Sequence, residues 1–358
     1  MNRQKEFEKI RRTLHASIRV SNSKALVAEG DSLDLLRKIP SQSISLVLTD
    51  PPYHSTKKDN IHGDTLFKGD SEYLEWMAKY IKEWKRILKP NGSIFCFCSP
   101  TMAARLEVGF ASEFNVLSQV VWTKPNDPGF DGWKQKMRKE SLRQWYSHTE
   151  RIIFAEPAYD GNLHRSYFGN LLRQMRGQAD LSGHQLTAMT GAHGRVNHGG
   201  AVSNWEAGRN IPSREQYKKV CDALLSTGKI SYMPEYEDAI RPFRMDASRE
   251  FTDVWNFPSV RPFKGKHPAE KPLAMLEHAI EATTYLNDIV LDCFSGSGNT
   301  AVAALKLGRR AILMEIDPVW VRRSSSAIEI PEVTDELSPE INIPRVRKIQ
   351  IPQSTLFA

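Results

Sequence analysis

Ile289-Val290-Leu291-Asp292-Cys293-Phe294-Ser295-Gly296-Ser297-Gly298-Asn299-Thr300 runs directly into a stretch of small residues, Ala301-Val302-Ala303-Ala304-Leu305-Lys306-Leu307-Gly308. An apolar run, a glycine turn and then a small-residue helix make a strand–loop–helix unit. Glycines let a ligand approach the backbone, and the first turn of the helix presents free N–H groups to a carboxylate or phosphate. One Gly-x-Gly is weak evidence alone. About one helix later, Ala311-Ile312-Leu313-Met314-Glu315 places an acidic residue at the end of the next strand, the position that binds a ribose diol. Together the two stretches point to an adenosine-containing cofactor with a charged tail.

Outward from this unit, apolar runs bounded by turn residues alternate with helical patterns, which predicts an α/β fold built on a Rossmann-like sheet with crossover helices. The expected strands are Lys24–Ala28, Ser45–Thr49, Gly92–Cys98, Val116–Trp122, Arg151–Ala155, Asp288–Cys293 and Arg310–Glu315. Tyr73, Met77, Ile81, Trp84 and Leu88 recur at helical spacing and predict a crossover helix, with Lys89-Pro90-Asn91-Gly92 closing it in a tight turn. Residues 157–262 break the pattern: they are polar, basic and rich in Gly, His and Trp, with no convincing strand series. The expected organisation is a catalytic half over 24–156, a mostly helical insertion over 157–262, a cofactor-binding half over 263–330 and an extended tail over 331–358.

A second constellation is Leu46-Val47-Leu48-Thr49-Asp50-Pro51-Pro52-Tyr53. An apolar strand delivers a carboxylate at its C-terminal end, where open α/β sheets place their sites, and Pro51 and Pro52 remove two N–H donors. Such a group suits an exocyclic amine on a flat base. Asp50 and the Pro51 carbonyl accept its two N–H bonds, and Tyr53 stacks on the ring. The plain alternative is a strand that ends in a proline turn.

These motifs resemble those of the S-adenosylmethionine-dependent DNA amino-methyltransferases. The matches are Asp50-Pro51-Pro52-Tyr53, Phe294-Ser295-Gly296-Ser297-Gly298, and His267-Pro268-Ala269-Glu270-Lys271-Pro272. The catalytic motif precedes the cofactor loop with the insertion between them, which is similar to the β-class arrangement, and the resemblance covers roughly residues 25–155 and 253–328. It implies S-adenosylmethionine as cofactor, with Asp31 near the adenine, Glu315 on the ribose, Phe294, Ser295, Gly296, Ser297, Gly298 and Thr300 in the enclosing loop, and Lys271 at the methionine end. Asp31 also reads as a helix N-cap ahead of Leu33-Asp34-Leu35-Leu36. His267 carries no assigned chemistry. Asp rather than Ser before the two prolines implies adenine N6 over cytosine N4. A target amine stacked and paired in a duplex must be flipped out to react, and His54–Phe67, with Lys57 and Lys58, reads either as a flap over the base or as a solvated loop.

Within the insertion, Leu181-Ser182, Leu186 and Gly191 resemble the first helix and turn of a phage-repressor helix-turn-helix, and Val202, Ser203, Trp205, Glu206 and Gly208 the end of its recognition helix. The stretch from Gly191 to Trp205 is longer than that motif allows, so the register of the second helix stays open. Arg195, Asn197, His198, Ser203, Asn204 and Arg209 are the candidate base readers, since Asn and Arg match adenine and guanine edges in the major groove. Each is equally readable as a solvated side chain, and Trp205 reads as core. Lys134, Lys136, Arg138 and Lys139 form the candidate phosphate contact.

Composition agrees with double-stranded DNA as partner. The chain carries 49 Lys and Arg against 42 Asp and Glu, a formal charge of +7, and residues 131–230 alone hold 15 against 9. No stretch approaches the roughly 20 apolar residues of a membrane span, so no membrane and a cytoplasmic location are expected. Cys96, Cys98, Cys221 and Cys293 match no zinc spacing and are expected to be reduced, with no metal. Relatives of this class are often dimers, and a homodimer fits a palindromic target, although no stretch marks its surface. Rival expectations are a DNA-binding regulator on an idle scaffold, or methylation of RNA or a protein amide.

Overall fold

The computed structural model describes residues 3–54, 67–125, 138–141, 143, 145, 148–158, 166–193, 200–244, 251–261, 263 and 266–329. The strands among them form one sheet: β1 (Ile18–Ser21), β2 (Ala25–Glu29), β3 (Ile44–Thr49), β4 (Leu88–Cys98), β5 (Phe114–Trp122), β6 (Glu150–Pro157), β7 (Val254–Trp255), β8 (Ile289–Asp292) and β9 (Arg310–Glu315). Their order across the sheet is β1-β2-β9-β8-β3-β4-β6-β5-β7. The central strands β2, β9, β8, β3 and β4 run parallel, and β6 lies antiparallel between β4 and β5. All seven expected strands are present.

Helices cover both faces. On one lie α1 (Arg3–Leu14), α2 (Ser32–Lys38), α3 (Asp70–Ile87) and α4 (Ala103–Ala111); the helical segment that follows contains α5 (Tyr167–Gln178), α6 (Gly183–Thr190), α7 (Ala201–Glu206), α8 (Arg214–Leu225) and α9 (Tyr236–Ala239). On the opposite face lie α10 (Leu273–Thr283), α11 (Asn299–Lys306) and α12 (Pro318–Ile328). Successive strand residues serve opposite cores. Val47, Cys96 and Leu291 pack against Trp84 and Ile81 of α3, whereas Leu46, Phe95 and Val290 pack against Ile280 of α10 and Ala301 of α11. Burial on both faces is why these strands read as unbroken apolar runs rather than alternating ones. The crossover from β3 to β4 uses one face and that from β8 to β9 the other. The loops after β3 and β8 therefore part, and a crevice opens at their C-terminal ends.

Lys89-Pro90-Asn91-Gly92 is not a tight turn. Leu88 and Ser93 pair with Ile44 and Leu46 of β3, so four residues of β4 face Ser45 alone and bulge from the ladder. Pro90 has no N–H to leave unpaired there. The bulge docks other elements: Lys89 lies 2.7 Å from the Glu6 carboxylate, and Asn91 Nδ2 donates to the carbonyls of Glu237 (2.8 Å) and Ile240 (3.1 Å). Three short or terminal elements escape the sequence pattern. In β1 only alternate residues are half-buried, β7 has two residues, and α1 hides Phe7, Ile10 and Leu14 within a highly charged segment.

The helical segment has an apolar core of its own, in which Phe168, Leu172, Leu186, Val202, Trp205, Tyr217, Val220 and Leu224 meet. Ser182 and Gln185 form a capping box at the start of α6, and Gly191 ends it in a left-handed cap with φ 63°. Only six residues make up α7. Val202 and Trp205, three apart, point inward, while Glu206 accepts two bonds from Arg176 at 2.6 and 3.1 Å. Trp205 is thus core. Trp205→Ala is expected to cost about 3–5 kcal/mol in this unit, read as a lower denaturation midpoint by far-UV circular dichroism; an unchanged midpoint contradicts the packing described.

Candidate active site

The two sequence motifs meet where β3 and β8 pair, with Leu46 opposite Val290 and Val47 opposite Leu291. Just beyond, Thr49 Oγ1 donates to Asp292 Oδ1 at 3.1 Å and accepts from Cys293 N at 3.2 Å. Asp292 also accepts from Phe294 N (3.1 Å) and Thr300 Oγ1 (2.6 Å). The hydroxyl of Thr300, expected at the cofactor, is therefore engaged by Asp292. Burial pushes the Asp292 carboxyl up to about 6, although these hydrogen bonds favour its charged form.

The glycine loop that follows has φ +47° at Gly296 and +85° at Gly298. A Cβ on Gly298 would lie 2.9 Å from Ser324 Cα, so only glycine lets the loop pack against α12. Glu315, at the end of β9, binds the same loop: Oε2 accepts from Gly296 N, and Oε1 from Ile316 N and Asp317 N, each at 2.9 Å. Burial raises this carboxyl above the usual range against the pull of those bonds. Ser295 Oγ is buried with no hydrogen-bond partner, a polar atom set for a ligand. Asp31 caps α2, accepting from Leu33 N (2.8 Å) and Asp34 N (3.3 Å), and is also exposed on the lip of the cleft. The helix-cap reading of Asp31 is thus observed. Trp76, Tyr80 and Phe294 form an aromatic wall, with ring centroids 5.3–5.8 Å from Phe294.

His267 supports the loop from the other side. Its ring meets Trp320 edge-on at 4.4 Å, and Nδ1 accepts from Ala269 N at 3.2 Å. Burial, with Lys271 and Lys266 nearby, lowers its pKa to about 4, so it is neutral. Asn299 Nδ2 donates to the Lys271 carbonyl at 3.1 Å, which joins the 267–272 segment to the start of α11.

At the opposite end, Asp50 Oδ2 takes the Lys271 ammonium, while Oδ1 is buried without a hydrogen-bond partner. Lys271 also lies 3.5 Å from Glu150 and 5.5 Å from the centre of the Tyr53 ring. The structure thus sets Lys271 beside the carboxylate of the catalytic motif. Tyr53 donates from its hydroxyl to Glu150 Oε2 at 3.1 Å, and Lys124 pairs with the other Glu150 oxygen. Burial raises the Asp50 carboxyl and Lys271 opposes the rise. For Lys271 the two carboxylates outweigh burial and hold its pKa above the usual value; Lys271 and Lys124 do the reverse for Glu150. Neither Glu150 nor Lys124 was legible as a site residue, because each reads as a polar flank of an apolar strand.

One cleft of about 310 Å³ connects the two ends, with Asp31, Glu315 and Trp320 on one side and Asp50, Tyr53 and Glu150 on the other. Pro51 is buried and Pro52 half-buried in its wall. Of the candidate DNA contacts, Arg138, Ser203 and Arg209 are exposed, and Arg209 donates to the half-buried Asn204 at 3.3 Å. Lys139 begins a short turn, Lys139–Ser141. Lys134, Lys136, Arg195, Asn197, His198, most of the 54–67 segment and the 331–358 tail lie outside the described residues. The free thiols of Cys96, Cys98 and Cys293 are buried among apolar side chains. Among the described residues no helix is long and apolar enough to cross a membrane.

Fold and cleft together define a Rossmann-like α/β protein with one cleft at the C-terminal ends of its central strands. Residues 44–326 match the DNA methylase family, to which the chain belongs. It is 32% identical over 339 residues to the type II methyltransferase M2.MboI of Moraxella bovis, covering 90% of this chain and 93% of that one. It is 24% identical over 315 residues to the DNA adenine methyltransferase YhdJ of Escherichia coli, covering 87% and 85%. The structure of the M1.HpyAVI–SAM complex aligns with 86% of this chain and 100% of its own at 17% identity, TM-score 0.49. The chain is a DNA methyltransferase, and S-adenosylmethionine is its cofactor.

Asp292 gives the fold a pH signature. A carboxyl raised from 3.8 to about 6 keeps its proton in the folded protein after the unfolded chain has released it. Its contribution to stability is therefore lost as pH rises between about 4 and 6, by about 3 kcal/mol. Wild-type stability minus that of Asp292→Asn, measured by urea unfolding, is expected to fall across this window; a flat difference contradicts the assignment.

Proposed function

We propose that the chain is a β-class DNA adenine-N6 methyltransferase acting on a base flipped out of duplex DNA. The observation that carries this reading is Asp50 Oδ1, a buried acceptor without a partner, which opens into the same cleft as Glu315 and the glycine loop. The aromatic wall, the unpartnered Ser295 hydroxyl and the acidic Glu315 fit an adenosine with a charged tail. S-adenosylmethionine, when bound, supplies an electrophilic methyl group for attack by the target nitrogen.

The protein's part is to make that nitrogen a nucleophile. The amine lone pair is delocalised into the base, and two acceptors, Asp50 Oδ1 and the Pro51 carbonyl, hold the nitrogen pyramidal so that the lone pair is aimed. Lys271 opposes the rise that burial imposes on the Asp50 carboxyl and so favours its ionised, acceptor-only form. Asp50 need not remove a proton first, because the N–H is more acidic once the new carbon–nitrogen bond has formed. Flipping the base costs a few kcal/mol, and Tyr53 replaces part of the lost stacking. Asp at the head of the Asp-Pro-Pro-Tyr motif supports adenine, as does the likeness to a relative named as an adenine methyltransferase.

We assign the insertion over 157–262, with its separate helical core, to target recognition, with exposed Ser203 and Arg209 among its readers. The basic run contacts phosphates. Neutralising Lys134, Lys136, Arg138 and Lys139 together is expected to weaken binding to every DNA sequence and flatten its salt dependence; unchanged affinity in filter binding at several salt concentrations returns the run to a solvated surface. For the catalytic assignment, Asp50→Ala is expected to abolish transfer of labelled methyl groups to DNA while cofactor binding by calorimetry persists. Retained transfer overturns it.

A further inference from the structure

Asp50 Oδ1 is buried without a hydrogen-bond partner, whereas Oδ2 is occupied by Lys271. Its ammonium sits between Asp50 and Glu150, 3.5 Å from the latter. Glu150 is also the acceptor for the Tyr53 hydroxyl, and it takes the Lys124 ammonium on its other side. Lys124 reaches it from a left-handed backbone, φ 49°, which costs a non-glycine residue about 1–2 kcal/mol. Strain of this kind persists where the surroundings enforce it, and it clusters at functional sites. All five side chains line the cleft.

We propose that Glu150 is a positioning residue for methyl transfer, acting through two others. It fixes the Tyr53 ring by its hydroxyl, and it anchors Lys271 so that the Asp50 carboxylate turns only Oδ1 toward the target amine. Lys124 neutralises the charge that Glu150 would otherwise bring into the buried site. This rests on the assignment of Asp50 as the amine acceptor.

Glu150→Gln keeps an acceptor for Tyr53 but loses the charge that holds Lys271. The single-turnover methyl-transfer rate is expected to fall on the order of 10–100-fold, the scale of a misplaced reacting group. S-adenosylmethionine affinity and KM for DNA are expected to stay within about twofold, and Glu150→Asp to recover part of the rate. Because Glu150 also holds the Tyr53 hydroxyl, the cost of Glu150→Ala, which removes that acceptor, is expected to be smaller in a Tyr53→Phe background than alone. A Glu150→Gln rate within about twofold of wild type, a Glu150→Ala effect fully additive with Tyr53→Phe, or a loss of cofactor affinity as large as the loss of rate each overturns the proposal. Any of these in a protein that Asp50→Ala inactivates removes Glu150's role and leaves the function standing.

Discussion

A single buried carboxylate joins the two loops on which the cleft is built. Asp292 takes the Thr49 hydroxyl from the β3 loop and the Thr300 hydroxyl from the start of α11, across a sequence separation of 243 residues in the first case. That tie helps set the distance between the carboxylate of one loop and the glycine turn of the other, together with the Lys271 link from Asp50 to Asn299. Methyl transfer depends on that distance, since a nucleophile and an electrophile held about 1 Å out of place lose much of their rate. Thr49 and Asp292 are also where the opposed crossovers part, so the cleft lies at the topological switch point of the sheet.

The base-side end depends on charge balance. Asp50, Glu150, Lys271 and Lys124 bring two negative and two positive groups into a largely buried space, each within reach of an opposite partner. Removing one member strands another, which is costlier than never burying the set. The ammonium of Lys271 occupies one Asp50 oxygen and lies 3.5 Å from the Glu150 carboxylate. At the cofactor end the acids are held differently: Glu315 and Asp31 are satisfied by backbone N–H groups of the loops they order.

The central strands were legible because both faces are buried and the residues within them are mostly apolar or small, with charged residues such as Asp292, Arg310 and Glu315 at their ends. Elements with one wet face, such as β1, or with two residues, such as β7, leave no such trace. Lys89-Pro90-Asn91-Gly92 has the composition of a turn, and its role as a bulge depends on Glu6, Glu237 and Ile240, none of them near in sequence. The same limit hid Glu150, whose partner Tyr53 lies 97 residues away. Lys271 was found by its motif but not by its neighbour. In the helical segment, Leu181-Ser182, Leu186 and Gly191 marked α6 by resemblance, and Trp205 read as core. The register beyond Gly191 has no comparable local signal.

Residues 131–230 carry most of the chain's positive surplus, with 15 Lys and Arg against 9 Asp and Glu, whereas at the Asp50 end of the cleft two carboxylates face two ammonium groups. The measurement that tests the account most directly is nucleoside analysis of DNA incubated with the protein and methyl-labelled S-adenosylmethionine. Label confined to N6-methyldeoxyadenosine is the predicted result; label in N4-methyldeoxycytidine, or DNA without label from a protein that binds the cofactor, would contradict it.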